Sequence, residues 1–194
     1  MRLLVVAIVF NFTSVYSQDI TLGWTKANTA NGSEFKKYES QTSSFFLKYR
    51  KPFTEDITWG LGLEVLEFRK PAVPERLVKM KGLFGEIGYF FRQIPGLTLL
   101  GSTSVGIMQC EYEFIDPPSE LKGSKGIGIS LEPSVSFLFP LTKKLTFTPS
   151  IGYLMVFDQM GFKSTDSKQP VGKLDSHMFA TTYRLALSWR LRKE

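Results

Sequence analysis

The sequence predicts an all-β chain, an eight-stranded antiparallel up-and-down β-barrel that spans a membrane. Three observations predict it: apolar and polar residues alternate along eight segments, small residues dominate the polar phase, and short and long connections alternate. Strict alternation is typical of strands with one apolar face, and the helical period does not recur. Composition agrees, because the apolar residues are plentiful but dispersed, with 43% hydrophobic and 22% charged residues.

The eight segments follow one another from residue 19 onward. They cover residues 19–28, 43–53, 56–68, 79–93, 97–113, 126–139, 145–158 and 177–191. The clearest is GIGISLEPSVSFLF, in which Ile127, Ile129 and Val135 share one phase and Gly, Ser and Glu occupy the other. Because successive side chains of a strand point to opposite faces, each segment has one large apolar face and one small polar face.

The small polar face decides which way these strands point. In a soluble barrel of the lipocalin type the large apolar side chains fill the interior, whereas in a transmembrane barrel they face outward. Gly, Ser, Thr and Ala suit the narrow inside of an eight-stranded barrel better than a water-facing surface. We therefore predict that the apolar face meets lipid. Since hydrocarbon offers no hydrogen bonds to an open edge, the sheet must close on itself.

The connections between segments support a meander. Tight breaks at 52–56, 94–96 and 141–144 alternate with longer polar connections at 29–42, 70–78, 114–125 and 159–176. In an up-and-down barrel this alternation places every long connection at one end. Pro133 and Pro149 fall in the apolar phase, where each removes a backbone donor, so we expect bulges or strain at both.

The first 17 residues read as a signal peptide, and residues 18–194 as the barrel domain. Arg2 precedes the short apolar run 3–10, and Val15 and Ser17 supply the small residues of a cleavage site before Gln18. The single Cys110 permits no internal disulfide. The net charge of +6 is scattered along the chain, so we expect no nucleic-acid partner. With one histidine and one cysteine, we expect no metal and no cofactor.

Together, these features resemble the small outer-membrane β-barrel family of the OmpA-barrel and OmpX type. The resemblance covers residues 18–194 and implies a monomer in the outer membrane of a Gram-negative bacterium, with periplasmic termini and extracellular long loops. It implies contact with outer-membrane lipid, including lipopolysaccharide, and with the outer-membrane assembly machinery. The last strand, TTYRLALSWRL, looks like the segment that machinery reads, but the chain ends Arg192-Lys193-Glu194 instead of with an aromatic residue. The implied role is structural, adhesive or surface-binding, with at most a narrow lumen.

Two sets of residues are predicted to matter for this barrel. Charges on the inward phase must pair, because an unpaired charge in a narrow lumen is costly. We expect them to form an ion-pair network that plugs the barrel or, alternatively, gates a narrow ion path: Lys48, Arg50, Glu64, Glu86, Arg92, Glu132 and Arg184. The outward phase carries the aromatic residues expected at the membrane interfaces: Trp24, Tyr49, Trp59, Tyr89, Tyr183 and Trp189.

Two alternative functions remain open from the sequence. Some barrels that resemble this one modify lipid A with Ser and His, and the candidates here are Asp175, Ser176 and His177. Sequence neighbours on a strand point to opposite faces, and a deacylase-like His-x-Ser spacing is absent, so we expect no enzyme. The other alternative is a soluble periplasmic carrier of the calycin type, with the apolar faces turned inward.

Overall fold

A computed structural model of the protein describes residues 18–30, 39–40, 44–70, 75–94, 97–115, 124–163 and 170–191. Within these residues the chain forms nine strands: β1 (Asp19–Thr29), β2 (Glu39–Ser40), β3 (Phe45–Pro52), β4 (Ile57–Lys70), β5 (Glu75–Ile94), β6 (Leu97–Ile115), β7 (Ser124–Pro140), β8 (Leu145–Lys163) and β9 (Pro170–Arg190). Each predicted segment overlaps a strand, and β5 to β9 extend further toward the long connections. The predicted signal peptide lies outside the described residues. No helix in the described part of the chain is long and apolar enough to cross a membrane.

The sheet closes into a barrel. All neighbouring strands pair antiparallel in the order β1, β3, β4, β5, β6, β7, β8, β9, and β9 returns to β1 from Asp19↔Arg190 to Thr29↔Ala180. The short β2 pairs with β1 and β4, as β3 does, so the two occupy one position in the wall. The predicted closed eight-stranded up-and-down architecture is therefore confirmed.

The second position in the wall is divided, which the sequence did not predict. Trp24 pairs with Phe45, and the same register would place Asn28 opposite position 41, whereas its partner is Glu39. The pairing with β4 shows the same offset of two residues between β2 and β3. The predicted strand 43–53 corresponds to β3, and β2, in a different register, lies within the predicted connection 29–42.

Two of the short turns share one construction. The end of the barrel that carries the short turns is here called the lower end, and the end that carries the long connections the upper end. In the first, the backbone amides of Phe53 and Thr54 donate to the carbonyl of Ile57, and the Thr54 hydroxyl accepts the Ile57 amide at 3.0 Å. In the second, Thr142 and Leu145 repeat the hydroxyl contact at 3.0 Å. A threonine that caps its own turn gives a tight, well-defined reversal, which explains why both breaks are short.

The seam between β7 and β8 is interrupted at its prolines. The two strands pair at residues 129–131, 134–136 and 139–140 of β7, and the pairs between these runs, which include Pro133 and Pro149, are missing. The register is the same in all three runs. The expected bulges are therefore wrong: each proline removes a donor without adding a residue to the strand.

The outward side chains form an apolar band around the barrel. Ile127 is 75% exposed, and the following outward side chains are also exposed: Leu22, Trp24, Leu61, Leu63, Leu83, Ile87, Val105, Ile107, Ile129, Leu185, Leu187 and Trp189. The same strands bury Thr21, Thr58 and Thr182 on the inside. This polarity is the reverse of a soluble barrel with an apolar interior.

Near the long connections the polarity on β4 to β7 reverses again. Above Leu63 on β4, the inward Leu66 and Phe68 are fully buried, while Glu67 and Arg69 point outward. Four outward residues of alternating charge pair with one another across β4 to β7. We name them the charged row: Glu67, Lys79, Glu111 and Lys125. The strands therefore continue beyond the apolar band with a water-compatible exterior.

Candidate functional site

A buried ion cluster crosses the barrel between β4, β7 and β9. Arg184 Nη2 donates to Glu64 Oε1 at 2.5 Å and to Glu132 Oε2 at 2.7 Å. The Thr182 hydroxyl donates to Glu132 at 2.5 Å, and the Thr25 hydroxyl donates to Glu64 at 3.2 Å. One guanidinium thus bridges two carboxylates from opposite walls, and each carboxylate also accepts a hydrogen bond from a threonine hydroxyl on β1 or β9.

A second cluster lies lower, between β3 and β5. Lys48 Nζ donates to Glu86 Oε2 at 2.7 Å, and Arg50 Nη2 donates to Glu86 Oε1 at 3.4 Å. The Arg50 side chain is buried, and its Nε and Nη1 atoms have no hydrogen-bond partner among the described residues. The Phe46 ring lies between the two clusters, 5.9 Å from Lys48 Nζ and 5.2 Å from Arg184 Cζ, where both cations face its ring.

The six charged residues of these two clusters form what we name the ionic layer: Lys48, Arg50, Glu64, Glu86, Glu132 and Arg184. Three positive and three negative groups balance, which limits the cost of burying them. Arg92, the seventh residue predicted for the network, lies in β5, but its side chain is outside the described part.

Inward glycines make room for the large groups of the layer. A Cβ atom on Gly62 would meet the Phe84 ring, and one on Gly152 would lie 2.7 Å from Glu132 Oε1. The small residues that the sequence places on the inward phase therefore leave space that neighbouring large side chains occupy. They bring the Glu132 carboxylate across β8 to Thr182 and Arg184.

Above the ionic layer the lumen is apolar. We name this cluster the apolar plug; all its members are at most 2% exposed: Ala27, Leu66, Phe68, Val78, Met80, Met108, Cys110, Leu154, Val156, Met178 and Ala180. The expectation of a small and ionic interior throughout is wrong here. The inward positions near the long connections lie beyond the apolar band, where a water-facing exterior leaves burial inside as the favourable place for large apolar side chains.

The predicted interface aromatics all lie on the outward phase. Tyr49 and Trp59 meet edge to face at 6.1 Å close to the short turns, and Trp189 lies near the same end, one strand beyond β1. Trp24 and Tyr183 lie further up the wall. Their place at a membrane interface stays a prediction.

Of the candidate catalytic residues, the structure describes the side chain of His177. His177 points outward and is exposed, and its ring lies 5.6 Å from Phe157 in an edge-to-face contact. The side chains of Asp175 and Ser176 are outside the described residues. The described residues contain no group of three or more metal-binding side chains.

The outer surface carries a charged group just above the apolar band. Lys125 Nζ donates to Glu111 Oε1 at 2.8 Å, Gln109 donates to the same oxygen at 3.2 Å, and Lys81 Nζ lies 3.9 Å from Glu111 Oε2. The hydrogen bond from Lys125 lowers the pKa of Glu111 below its ordinary value of 4.5. A carboxylate held by two lysines here marks the level at which outward positions become polar.

Sequence reasoning missed two parts of this interior. Thr25 and Thr182 hold the carboxylates, and nothing in their local sequence separates them from other inward threonines. The apolar plug could have been predicted from the sequence of β4. Leu63 and Val65 are on the outward phase, whereas Leu66 and Phe68 are on the inward phase, so the apolar phase changes face at Leu66. The same switch occurs where Met80 follows Lys79 on β5.

Comparison with known proteins finds likeness in fold. No protein-family model matches the chain, and no curated protein sequence matches it. The structure is similar to Neisserial surface protein A (TM-score 0.54, 11% identity, 91% of this chain and 96% of that one). It is similar to Ail, the attachment invasion locus protein of Yersinia pestis (0.51, 18%, 91% and 99%), and to E. coli outer membrane protein W (0.51, 13%, 93% and 100%). The chain thus has the fold of the small eight-stranded outer-membrane barrels.

Proposed function

We propose that this chain is an integral protein of the bacterial outer membrane, with a structural, adhesive or surface-binding role and no reaction of its own. The observation that carries the proposal is the outward apolar band bounded by the charged row. On β5 the band runs from Leu83 to Phe91, nine residues, and on β6 from Leu97 to Ile107, eleven residues. Tilted strands of roughly nine to eleven residues cross the hydrocarbon of a bilayer.

The orientation follows from the two ends of the wall. We place the short turns and both termini on the periplasmic side and the long connections outside the cell. The charged row then lies at the outer headgroup level, where Lys79, Lys81 and Lys125 can meet the phosphates of lipopolysaccharide. Strand edges that open during folding require the outer-membrane assembly machinery, and the closed wall supports a monomer.

The interior favours a plug over a channel. The ionic layer pairs its charges across the lumen at 2.5 to 3.4 Å, and the apolar plug above it presents no polar group to an ion. An ion entering from the long-connection side would lose its hydration among Leu, Phe and Met side chains, at high cost. We therefore infer that the barrel does not conduct ions.

The surface role is assigned to the long connections. The neighbour Ail is named for attachment and invasion, and a rigid plugged barrel is a suitable platform for loops that bind at a cell surface. The lipid-modifying alternative has less support, because His177 faces outward against Phe157 with no second catalytic group described beside it. The soluble carrier has less support still, because its ligand cavity would occupy the space that the ionic layer and the plug fill.

Gel migration and fractionation test the membrane proposal. We expect the protein to stay with outer membranes until detergent is added and to migrate as a compact species in SDS that shifts on boiling. Release by osmotic shock without detergent would contradict the proposal. In planar bilayers we expect no single-channel current from the wild-type protein, and a steady current would contradict the plugged lumen. Unchanged lipid A after expression of the wild-type protein is the outcome expected of a barrel without enzymatic activity.

A further inference from the structure

The outward band is interrupted by a groove. It has a volume of about 820 Å³ and is lined mainly by outward residues of β4, β5, β6, β7, β8 and β9. Its lining includes small outward residues, with Gly101 and Thr103 of β6 and Pro133 of β7 forming the floor and Thr181 of β9 at the far edge. The neighbouring outward positions are large, so the floor is a depression between two raised walls.

The walls of the groove are apolar and aromatic. Ile87, Tyr89 and Phe91 of β5 form one side, and Tyr89 and Phe91 pack edge to face at 5.0 Å. Ile151 and Tyr153 of β8 contribute to the other side. A Cβ atom on Gly101 would lie 3.2 Å from the Phe91 ring, so the absence of a side chain there keeps the passage beside Phe91 open.

The lining of the groove also extends along a pairing row that climbs the wall. One row joins Ile57, Tyr89, Gly101, Val135 and Ile151 through successive strand pairs. Ile57 is the first residue of β4, directly after a short turn, whereas Ile151 lies inside β8. Because strands of such barrels are tilted by about 35–45°, a row perpendicular to them rises obliquely from the short-turn end toward the middle of the band.

The seam beneath the floor explains why the groove can exist there. Pro133 lies at the interrupted pairing between β7 and β8 and points outward with a compact ring. A larger residue at this position would fill the depression. Behind it, Glu132 crosses Gly152 on the inner side of the wall toward Thr182, so the backbone in this patch is held from within while its outer surface stays low.

We propose that this groove holds one acyl chain of a phospholipid from the leaflet on the short-turn side; this inference rests on the proposed membrane location. A concavity inside hydrocarbon must be filled, because unfilled space loses dispersion contacts on every lining atom. The groove lies wholly within the apolar band and opens beside Ile57 at the short-turn edge, where a headgroup can stay in water. A chain in it is contacted from the floor and both walls, unlike a chain on the flat wall.

A pair of matched substitutions on β6 tests the site. Thr103→Phe fills the floor, whereas Val105→Phe adds the same aromatic ring two residues higher, at an exposed outward position that does not line the groove. The full-length mature chain is assembled in phosphatidylethanolamine nanodiscs, transferred to detergent and analysed by native mass spectrometry. We expect the wild-type chain and Val105→Phe to retain one phospholipid each. For Thr103→Phe we expect about tenfold lower occupancy, the factor that loss of roughly two buried methylene contacts produces.

The outcomes separate this inference from the proposed function. If all three proteins enter nanodiscs and retain lipid equally, or the wild-type chain retains none, the groove is not a lipid site and the membrane proposal stands. A wild-type dimer that Thr103→Phe abolishes would show that a second copy occupies the groove, which also overturns the inference. A wild-type chain that never enters the bilayer overturns both.

Discussion

The lower and upper regions of this barrel are built from the same strands with opposite polarity. In the lower region, around the ionic layer, large apolar side chains such as Leu83 point outward and Glu86 points inward. In the upper region, nearer the long connection on the same strand, Lys79 points outward and Met80 and Val78 fill the interior. Each region places its apolar side chains away from water, and the solvent outside the wall decides which face that is.

Alternation along a strand divides its residues between two faces, but it does not determine whether lipid, water or the barrel interior lies against each face. In the proposed membrane location, hydrocarbon outside the lower region accepts apolar residues, so the interior there can hold charges, provided that they pair. Water outside the upper region demands polar side chains, so the apolar ones move inward. Under this proposal, the change of face between Leu63 and Leu66 on β4 is the level at which the outside changes from lipid to water.

The largest expected effect comes from breaking the ionic layer. Arg184→Leu leaves two buried carboxylates, Glu64 and Glu132, without their cation, and we expect it to lower the free energy of unfolding by roughly 3–5 kcal/mol. Lys125→Leu also removes a partner of a glutamate, but on the exposed outer surface, and we expect a loss below about 1 kcal/mol. Urea unfolding from lipid vesicles measures both. Equal losses would show that the inner pairs are no more important than the outer ones.

A triple substitution sharpens this prediction. Adding Glu64→Gln and Glu132→Gln to Arg184→Leu removes the uncompensated charges, and we expect it to recover more than about half of the lost stability. Failure to recover any would mean that the arginine acts through packing against Phe46 and not through its charge.

Truncation in the apolar plug is expected to cost nearly as much. Leu66→Ala opens a cavity in a fully buried site and should lower the free energy of unfolding by about 3 kcal/mol. Lys81→Ala, outward at a similar height, should change it by less than about 0.5 kcal/mol. If Leu66→Ala is neutral in the same urea titration, the upper region is not a packed core.

A lysine scan along β6 compares the outsides of the two regions directly. Val105→Lys introduces a charge into the apolar band. We expect it to lower the free energy of unfolding of the protein in lipid vesicles by about 2 kcal/mol. Gln109→Lys, four residues higher on the same face, should be close to neutral. The free energy of unfolding from vesicles again measures the difference. Equal losses at both positions would contradict a boundary between the two regions at this level of β6.

The smallest effect concerns pH at the outer surface. The Lys125 hydrogen bond keeps the pKa of Glu111 below 4.5. A carboxyl with a lowered folded pKa stabilises the fold above its unfolded pKa, and this contribution disappears as the pH falls through the lower folded value. We expect an NMR titration of Glu111 to show a midpoint below 4.5, and Lys125→Met to move it upward. An unchanged midpoint in the variant would exclude Lys125 as the cause.

Much of the fold could be read from the sequence, because period-two alternation and turn spacing are local properties. The pairing of Lys48, Arg50, Glu64, Glu86, Glu132 and Arg184 could be proposed as a set, since each is an inward charge in a lumen too narrow to leave it alone. Which partners meet depends on register and on the lengths of side chains from opposite walls. Those are properties of the closed barrel and are not contained in any one segment.

The remaining differences have the same origin. The offset between β2 and β3 is invisible in the sequence because either register keeps the alternation. Bulges or strain were expected at Pro133 and Pro149, yet the pairing between β7 and β8 keeps one register on either side of both prolines, so no residue is added to either strand. The groove depends on Gly101 and Thr103 of β6 lying beside Pro133 of β7, which only the pairing reveals.

Cysteine accessibility along β6 tests the central claim most directly. Single cysteines are placed at the outward positions 103, 105, 107, 109 and 111 in a Cys110→Ala chain, and the folded protein in lipid vesicles is treated with a membrane-impermeant maleimide. We predict labelling at 109 and 111 and protection at 103, 105 and 107, with all five positions labelled after unfolding in urea. Equal labelling at 105 and 111 in the folded protein would mean that water surrounds the apolar band.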